Sequence, residues 1–292
     1  SLQIVGMGNK AIDESKERVR SAIKNSSLDF PKKKITINLA PAEIPKDGTS
    51  FDLPIAISIL VISGQLRPKD INHRAFTGEL SLSGDLRPIK GIINIVEKLK
   101  NSGVKEVFIP EKNYNQATLI DGITIIPANN LRDIFLHLKN EKTIIIPQPK
   151  RVMVDDAKEI SLDDIVGQEQ AKRALTIAIA GRHNILLTGP PGTGKTMLAK
   201  DALNLLPSLT KNELLEVSKI HGLIEDTDVS NIKRPFRAPH HTASKTSIVG
   251  GGPKAMPGGI SLAHMGILFL DEIPEYQKTT LEALRQPLED KK

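Results

Sequence analysis

The segment that most constrains the fold of this chain spans residues 184–198 and reads NILLTGPPGTGKTML. It opens with a short apolar run typical of a buried parallel strand, turns through glycine and proline, and continues into a helix-forming stretch, Met197 to Leu206. The turn has the spacing G-x-x-x-x-G-K-[ST], which indicates a phosphate-binding loop when it lies between a strand and a helix. The segment therefore predicts an α/β fold in which this loop holds the phosphates of a nucleotide.

Each residue type in this loop has a chemical reason. Glycine lets the backbone curl so that successive N–H groups face one anion. Lys195 is predicted to reach the β- and γ-phosphates as a catalytic cation, and the Thr196 hydroxyl to bind Mg²⁺. The predicted nucleotide-binding residues are Gly189, Pro190, Pro191, Gly192, Thr193, Gly194, Lys195, Thr196 and Met197. The alternative is a glycine-rich turn without a ligand, which the Lys-Thr ending disfavours.

A second apolar strand, residues 266–270, ends in two carboxylates, Asp271 and Glu272. Asp271 is predicted to hold the Mg²⁺ shell together with Thr196, and Glu272 to polarise the attacking water as a general base. Two acids at the end of a strand are commonly only solvated. Together with the Lys195-Thr196 pair, they predict that the chain binds and cleaves a nucleoside triphosphate.

Length and composition bound the remaining possibilities. A chain of 292 residues has room for two domains, and the absence of cysteine excludes disulfides and thiolate metal sites, which suits the cytoplasm. The sequence shows no apolar run long enough to span a membrane. The net charge of +6 permits an anionic partner without requiring one. Both ends look cut, so we expect a fragment.

The first half of the chain alternates helical and strand patterns. The periodicity predicts helices at 11–25, 55–63, 91–102 and 131–138, strands at 35–39, 104–109 and 123–126, and a hairpin within 77–88. Asn130 is the expected N-cap of the fourth helix. Residues 139–157 are rich in proline and charge, which predicts a linker with a short strand at 143–146.

Two segments of this half, Pro45 to Ser50 and Thr77 to Gly91, resemble the proteolytic domain of Lon proteases. The resemblance implies an α+β domain, residues 1–138, with Ser50 at the position of the nucleophile. The position of its lysine base falls on Ile95, which cannot take a proton, and neither Lys90 nor Lys98 points the same way along the helix. A serine without a base is a poor nucleophile, so we expect a Lon-like fold without protease chemistry.

The second half, residues 158–292, contains two further informative stretches. Residues 161–172, SLDDIVGQEQAK, resemble the box of AAA+ ATPases that packs beside the adenine, which implies contacts from Val166 and Gly167. Residues 234–264, which include RPFRAPHHTAS and two glycine-proline clusters, strongly resemble magnesium-chelatase-like AAA+ proteins of the YifB/ComM family. That resemblance implies ATP and Mg²⁺ as ligands, a homo-hexameric ring, and a hairpin facing its pore. It also places the sensor residues and the arginine finger beyond Lys292, so this fragment is expected to hydrolyse ATP slowly.

Positive charge is concentrated in the same region. The basic residues are Lys233, Arg234, Arg237, His240, His241 and Lys245. They would suit sequence-independent contacts to nucleic-acid phosphates, although an ordinary solvated basic loop explains them equally well. Adjacent histidines without further ligands at metal spacing do not indicate a metal site.

The family resemblance implies a motor that acts on single-stranded or branched DNA, with branch migration during recombination of incoming DNA. Three alternatives stay open: a chaperone-like motor for metal insertion, an ATP-dependent serine protease, and a scaffold without activity. The Lon-like domain argues against the first, Ile95 against the second, and the intact Lys195, Asp271 and Glu272 against the third.

Overall fold

The computed structural model describes residues 2–5, 10–39, 49–149, 165–225, 232–253 and 255–290. The chain divides into two compact units, residues 1–150 and 151–292. Each unit mixes helices with strands and contains parallel strand pairs, which confirms the α/β class predicted from the sequence. Of the helices within the described ranges, none combines the length and the apolar character that a membrane crossing requires.

The first unit combines helices with a three-stranded parallel sheet and two smaller strand pairs. Its helices are α1 (Lys10–Asn25), α2 (Asp52–Ile62), α3 (Ile92–Asn101), α4 (Tyr114–Ala117) and α5 (Leu131–Leu138). Its strands are β1 (Leu2–Val5), β2 (Ile35–Asn38), β3 (Arg74–Phe76), β4 (Glu79–Leu80), β5 (Leu86–Arg87), β6 (Glu106–Pro110) and β7 (Thr124–Ala128). The central strand β6 pairs in parallel with both β3 and β7, β1 pairs in parallel with β2, and β4 and β5 form an antiparallel hairpin.

Helix α2 lies at the centre of this unit. Its sequence, DLPIAISILVI, is apolar on nearly every side, as expected of a helix that is covered all round. Leu53, Ile59 and Leu60 are fully buried, and they belong to one apolar cluster with Val19 and Ile23 of α1. The predicted helix 55–63 is therefore confirmed, although it begins three residues earlier, at Asp52.

Asp52 is a fully buried carboxylate at the start of α2. Arg18 of α1 donates to it from Nε at 2.8 Å and from Nη2 at 3.3 Å, and the Ser15 hydroxyl also donates to it. The bond to this carboxylate is the main cause that raises the pKa of Arg18. A buried charge is tolerated only when it is paired and hydrogen-bonded, and Asp52 meets both conditions.

Several local predictions for the first unit are confirmed. Asn130 caps α5, since its side chain accepts the backbone N–H of Asp133 at 2.8 Å. The predicted hairpin is β4–β5. The predicted strand 143–146 is wrong, because the segment pairs with no described strand. The segment instead packs against the first unit through Ile144. The N–H of Ile144 donates to His137 Nδ1 at 3.0 Å, and its side chain packs against the apolar cluster around α2.

The second unit carries the predicted phosphate-binding loop. Its helices are α6 (Glu169–Ala180), α7 (Lys195–Asp201), α8 (Lys211–His221), α9 (Lys245–Val249), α10 (Gly259–Leu262) and α11 (Lys278–Asp290). Its strands are β8 (Phe236–Arg237), β9 (Gly250–Gly251), β10 (Met256–Pro257) and β11 (Ile267–Leu268). Strands β8 and β11 are parallel neighbours, and β9 and β10 form an antiparallel hairpin. The predicted helix 197–206 is α7 followed by a 3₁₀ turn, Ala202–Leu205.

The buried parallel strand predicted at 184–187 is wrong for the described part of the chain. The segment pairs with no described strand, and Ile185 and Leu186 are 40% and 70% exposed. The apolar run has the composition of a strand, but a strand also needs hydrogen-bonding partners that are remote in sequence. The second predicted strand, 266–270, is present only as the short β11, which finds its partner in β8.

Candidate nucleotide-binding site

The predicted phosphate-binding loop connects the extended segment 184–188 to helix α7. Gly192 and Gly194 have φ of +81° and +83°, the left-handed region that favours glycine, and Gly194 directly precedes the first residue of the helix. Thr193 donates its hydroxyl to the carbonyl of Pro190 at 3.0 Å, which closes the turn. Pro190 and Pro191 are exposed, and Met197 is half-exposed on α7. The curled backbone agrees with the prediction from the glycine spacing.

Lys195 is directed back over its own loop. Its Nζ donates to the carbonyls of Gly189 and Pro190, at 2.9 and 2.8 Å. A lysine ammonium has three donors, and both acceptors lie in the loop that is predicted to surround the phosphates. The ammonium group therefore already lies against the loop, and an arriving phosphate can replace the two carbonyls as its partner.

Two predicted metal ligands that are distant in sequence are neighbours in the structure. The Thr196 hydroxyl donates to Asp271 Oδ2 at 3.1 Å, across a separation of 75 residues. Thr196 is the second residue of α7, and Asp271 follows β11 by three residues. The phosphate-binding loop and the acidic end of the second strand are thus at one place in this unit.

The donor set of this pair fits Mg²⁺. Mg²⁺ prefers oxygen ligands and usually takes one or two carboxylates together with phosphate oxygens and water. A hydroxyl and a carboxylate within hydrogen-bonding distance, both exposed, offer such oxygens beside the loop. Thr196 and Asp271 are accordingly the residues that would hold the ion.

Glu272 directly follows Asp271 but has a different environment. Its backbone N–H donates to Asp271 Oδ1 at 3.0 Å, and its own φ of +52° turns the chain sharply after the strand. Its carboxylate Oε2 lies 3.3 Å from His241 Nδ1. The predicted general base is thus exposed to solvent on one side and contacts a histidine on the other.

The box before α6 reaches the loop through a residue that the sequence analysis did not single out. The Gln168 side-chain amide donates to the carbonyl of Thr193, inside the phosphate-binding loop. Gln168 has a φ of +58° and follows Gly167 at +77°, so a left-handed turn aims this side chain at the loop. Val166 is 95% exposed and Gly167 is also exposed, so their predicted contact with adenine stays a prediction. The sequence signal that could have indicated this contact was a glutamine directly before a helix, in a segment that resembles the adenine-contacting box.

Arg234 is a structural residue. It fits neither explanation offered for the basic cluster, which were contacts to nucleic-acid phosphates and a solvated loop. Its guanidinium donates to the carbonyl of Pro207, to that of Met265 at 2.7 Å and to Glu213 Oε2 at 3.0 Å. The side chain is 8% exposed. Since its donors are used by protein acceptors and little of it faces solvent, Arg234 is not available to nucleic acid.

The other basic residues of this cluster have different environments. Lys233, His240 and Lys245 are exposed, whereas Arg237 and His241 are partly buried. The His240 and His241 rings lie 4.1 Å apart between centroids. Within the described residues, no group of three or more His, Cys, Asp or Glu side chains could hold a metal ion.

The glycine-rich stretch after α9 forms the expected hairpin. Met256 pairs with Gly251 and Pro257 with Gly250, so β9 and β10 are antiparallel. Gly250, Gly251 and Gly252 all have φ between +76° and +101°, which explains three consecutive glycines at this turn. The hairpin therefore depends on backbone conformations that other residues rarely adopt.

The predicted remnant of a protease site lies in the first unit. The carbonyl of Ser50 accepts the N–H of Gly78 at 3.3 Å, and Thr49 donates its hydroxyl to Glu79. Residues 45–48 of the first Lon-like motif lie outside the described residues. Ile95 is on α3, where its N–H donates to the Gly91 carbonyl. An aliphatic side chain thus occupies the position at which the Lon resemblance requires a base.

Comparison with known proteins agrees with this geometry. The family model for magnesium chelatase, subunit ChlI, matches residues 161–292, and a second model, subunit ChlI of Mg-chelatase, matches residues 1–113. The protein YifB of Escherichia coli is 45% identical over 99% of this chain, and the competence protein ComM of Haemophilus influenzae is 45% identical over 98%. The chain belongs to the YifB/ComM family of magnesium-chelatase-like AAA+ proteins.

The relatives differ in how much of their length this chain matches. The chain spans 57% of the length of YifB and of ComM, so their further sequence has no counterpart in the structure described. Lon protease 2 of Bacillus subtilis is 37% identical over 122 residues, which is 41% of this chain and 21% of that protease. The Lon resemblance is thus present but partial, in contrast to the nearly complete match with YifB and ComM.

Proposed function

We propose that this chain binds ATP with Mg²⁺ and hydrolyses it, as part of an AAA+ motor that acts on DNA. The observation that carries the proposal is the hydrogen bond between Thr196 and Asp271. It brings the phosphate-binding loop and the acidic strand end together, and neither motif alone would distinguish a nucleotide site from a glycine-rich turn or a solvated pair of acids.

The residues then have separate tasks. The backbone N–H groups of the loop and the Lys195 ammonium bind the triphosphate, while Val166 and Gly167 lie beside the adenine. Thr196 and Asp271 hold Mg²⁺, which when bound neutralises phosphate charge. Glu272 accepts a proton from the attacking water as the general base.

A comparison of binding with turnover tests this assignment. Lys195→Ala is expected to lose most of its affinity for ATP, whereas Glu272→Gln should bind ATP normally and lose about 10²- to 10⁴-fold in phosphate release, the usual contribution of a general base. Lys200→Ala is the matched control, because Lys200 is an exposed lysine on the same helix. Equal ATP affinity of the Lys195 and Lys200 variants would refute the proposed site.

DNA is the partner that we propose for the motor, acting as a hexameric ring. Three observations support it. Lys233 and Lys245 are exposed, the hairpin β9–β10 lies in the chain between Lys245 and β11, and the relative ComM is named a competence protein. Single-stranded and branched DNA should stimulate phosphate release by the full-length protein, with Lys195→Ala as the inactive control. Absence of stimulation would favour a chaperone-like motor of the chelatase kind.

A protease is the less favoured alternative, because Ile95 cannot serve as the base for Ser50. Incubation with unfolded casein and ATP should leave the substrate intact. Cleavage that Ser50→Ala abolishes would restore the protease hypothesis.

A further inference from the structure

The excess positive charge of the chain lies in the first unit. Residues 1–150 contain 22 Lys and Arg and 16 Asp and Glu, whereas residues 151–292 contain 18 of each. The formal net charge of +6 therefore belongs to the unit that does not carry the phosphate-binding loop. Nucleotide binding in the second unit does not explain this asymmetry, so the cations of the first unit require an explanation of their own.

These cations are densest between residues 18 and 34, where six Lys and Arg are accompanied by a single acid, Asp29. Arg18 is already paired with the buried Asp52. The other five are exposed, and we call them the basic surface: Arg20, Lys24, Lys32, Lys33 and Lys34. Four of the five, all but Lys33, have no carboxylate partner among the described residues.

The end of α1 and the loop that follows it bring these side chains together. Arg20 and Lys24 lie one turn apart on α1. The Arg20 guanidinium lies over the ring of Phe30, 5.9 Å from its centroid, and Phe30 precedes Lys32 by two residues. The helix and the three consecutive lysines before β2 therefore contribute to one surface.

The loop between α1 and β2 is held in a defined conformation. The N–H of Leu28 donates to the Ile23 carbonyl at 3.1 Å. The Gln65 side chain accepts the N–H of Asp29 at 2.9 Å and donates to its carbonyl at 2.7 Å. Leu28 and Phe30 also pack against the apolar cluster around α2. Because the backbone beneath the lysines is already ordered, a ligand would pay less conformational entropy to bind there.

The chemistry of the basic surface fits a polyanion. Like charges one helical turn apart, as at Arg20 and Lys24, repel each other, and an anion relieves that repulsion. A guanidinium stacked on an aromatic ring can still present its N–H fork to a phosphate. The regularly spaced phosphates of a nucleic acid would give each cation a partner.

The surroundings favour a duplex over a single strand. Proteins that bind single strands stack the bases on aromatic side chains. In the part of the chain that the structure describes, no aromatic residue is among the exposed large apolar side chains, and Phe30 is partly covered. A duplex keeps its bases inside and presents its phosphates outward, so a surface of cations alone can hold it.

We propose that the basic surface of the first unit binds the phosphate backbone of duplex DNA without regard to sequence. The inference goes beyond the proposed function, with which it shares only DNA as the partner, and it does not depend on ATP hydrolysis. The first unit thus supplies a second DNA contact, separate from the residues around the hairpin β9–β10.

Salt-dependent binding of the full-length protein tests this surface, with fluorescence anisotropy of a labelled DNA duplex as the readout. A variant that combines Lys32→Gln, Lys33→Gln and Lys34→Gln should bind the duplex about 10- to 100-fold more weakly at 100 mM salt. The slope of log Kd against log salt concentration should fall by about two to three, because each neutralised phosphate contributes about 0.9. Arg20→Gln, a single change in the helix, should lower the slope by about one.

The matched control removes the same charge from another part of the first unit. Lys98 and Lys100 of α3, and Lys105 directly before β6, are three exposed lysines. Their combined replacement by glutamine should leave the affinity and the salt slope unchanged. An equal loss in both triple variants would overturn the inference, because it would show an effect of net charge alone. A slope that the Lys32–Lys34 variant does not change would also overturn it.

Two further measurements identify the partner and separate the inference from the proposed function. Affinity of the Lys32–Lys34 variant for a single strand of the same sequence should stay within about twofold of wild type. If that variant loses binding to phosphatidylglycerol vesicles but keeps its duplex affinity, the surface faces a membrane and the inference is wrong. If wild type releases no more phosphate than Lys195→Ala, the proposed function fails, whereas unchanged duplex binding with normal phosphate release contradicts the inference alone.

Discussion

Replacement of Arg234 by alanine distinguishes a structural from a DNA-binding arginine. In the structure this guanidinium joins three separate segments, since its acceptors belong to Pro207, Glu213 and Met265. Alanine would remove all of these donors at once. It would leave the Glu213 side chain, which is only 14% exposed, without its best cationic partner.

The expected loss of stability follows from these contacts. A neutral hydrogen bond contributes about 0.5–1.5 kcal/mol net, and a bond to a charged group about 1.5–3 kcal/mol. Because the guanidinium is charged and both it and Glu213 are largely buried, the usual cost of breaking a buried ion pair, about 3–5 kcal/mol, sets the scale of the loss. Against a typical domain stability of about 5–15 kcal/mol, this loss would leave the second unit only marginally folded.

The loss should also depend on pH. The pKa of Glu213 is lowered, first by the backbone N–H of Thr210 and also by Arg234. A carboxylate with a lowered pKa stabilises the fold above its unfolded value, about 4.3, and this stabilisation disappears as pH falls through the lower folded value. The difference between wild type and Arg234→Ala is therefore largest near neutral pH and shrinks in acid, where Glu213 is protonated.

Native-state hydrogen exchange is the suitable assay, because it measures the opening free energy of α8 separately from the first unit. Lys233→Ala is the control, since this exposed neighbour should change stability by less than about 0.5 kcal/mol. If Lys233 contacts DNA phosphates, its replacement should instead reduce the salt slope of DNA binding by about one. An Arg234 variant that opens like wild type, and whose DNA binding is weaker, would refute the structural role.

Three further outcomes are expected from residues in both units. Asp52→Ala removes the main partner of Arg18 and leaves it only the longer contact to Glu14, so it should destabilise the first unit by about 3–5 kcal/mol in urea unfolding, without changing ATP affinity. Asn130→Ala removes the cap of α5 and should cost about 1 kcal/mol in the same experiment. Gln168→Ala removes the side-chain bond to the Thr193 carbonyl, so ATP affinity measured by calorimetry should fall by roughly 3- to 10-fold, the value of one hydrogen bond.

The features that were predictable from the sequence are those that depend on neighbouring residues. The phosphate-binding loop needs glycines at fixed spacing, the hairpin β9–β10 needs three consecutive glycines, and the α5 cap needs Asn130 three residues before Asp133. Each is a local backbone problem with few chemical solutions. The spacing of residues therefore carried most of the information for these elements.

The features that were not predictable depend on partners remote in sequence. The apolar run 184–187 has the composition of a buried strand, yet it pairs with no described strand. In the sequence Arg234 is one of several basic residues, whereas in the fold its guanidinium has four acceptors from three other segments. Gln168 meets the loop 25 residues later in the chain. In each case composition indicates what a residue can do, while the fold decides which partner it finds.

Two cations of the second unit, Arg234 and Lys195, show how the fold distinguishes a ligand-binding residue from a structural one. Arg234 and Lys195 both donate to backbone carbonyls, so hydrogen-bond counts alone would class them together. The acceptors of Arg234 come from separate segments around a side chain that is 8% exposed, and exchanging them would require the unit to open. The acceptors of Lys195 belong to its own exposed loop, where a phosphate can replace them without disturbing the core. The cation whose partners can be exchanged is the one suited to bind a ligand.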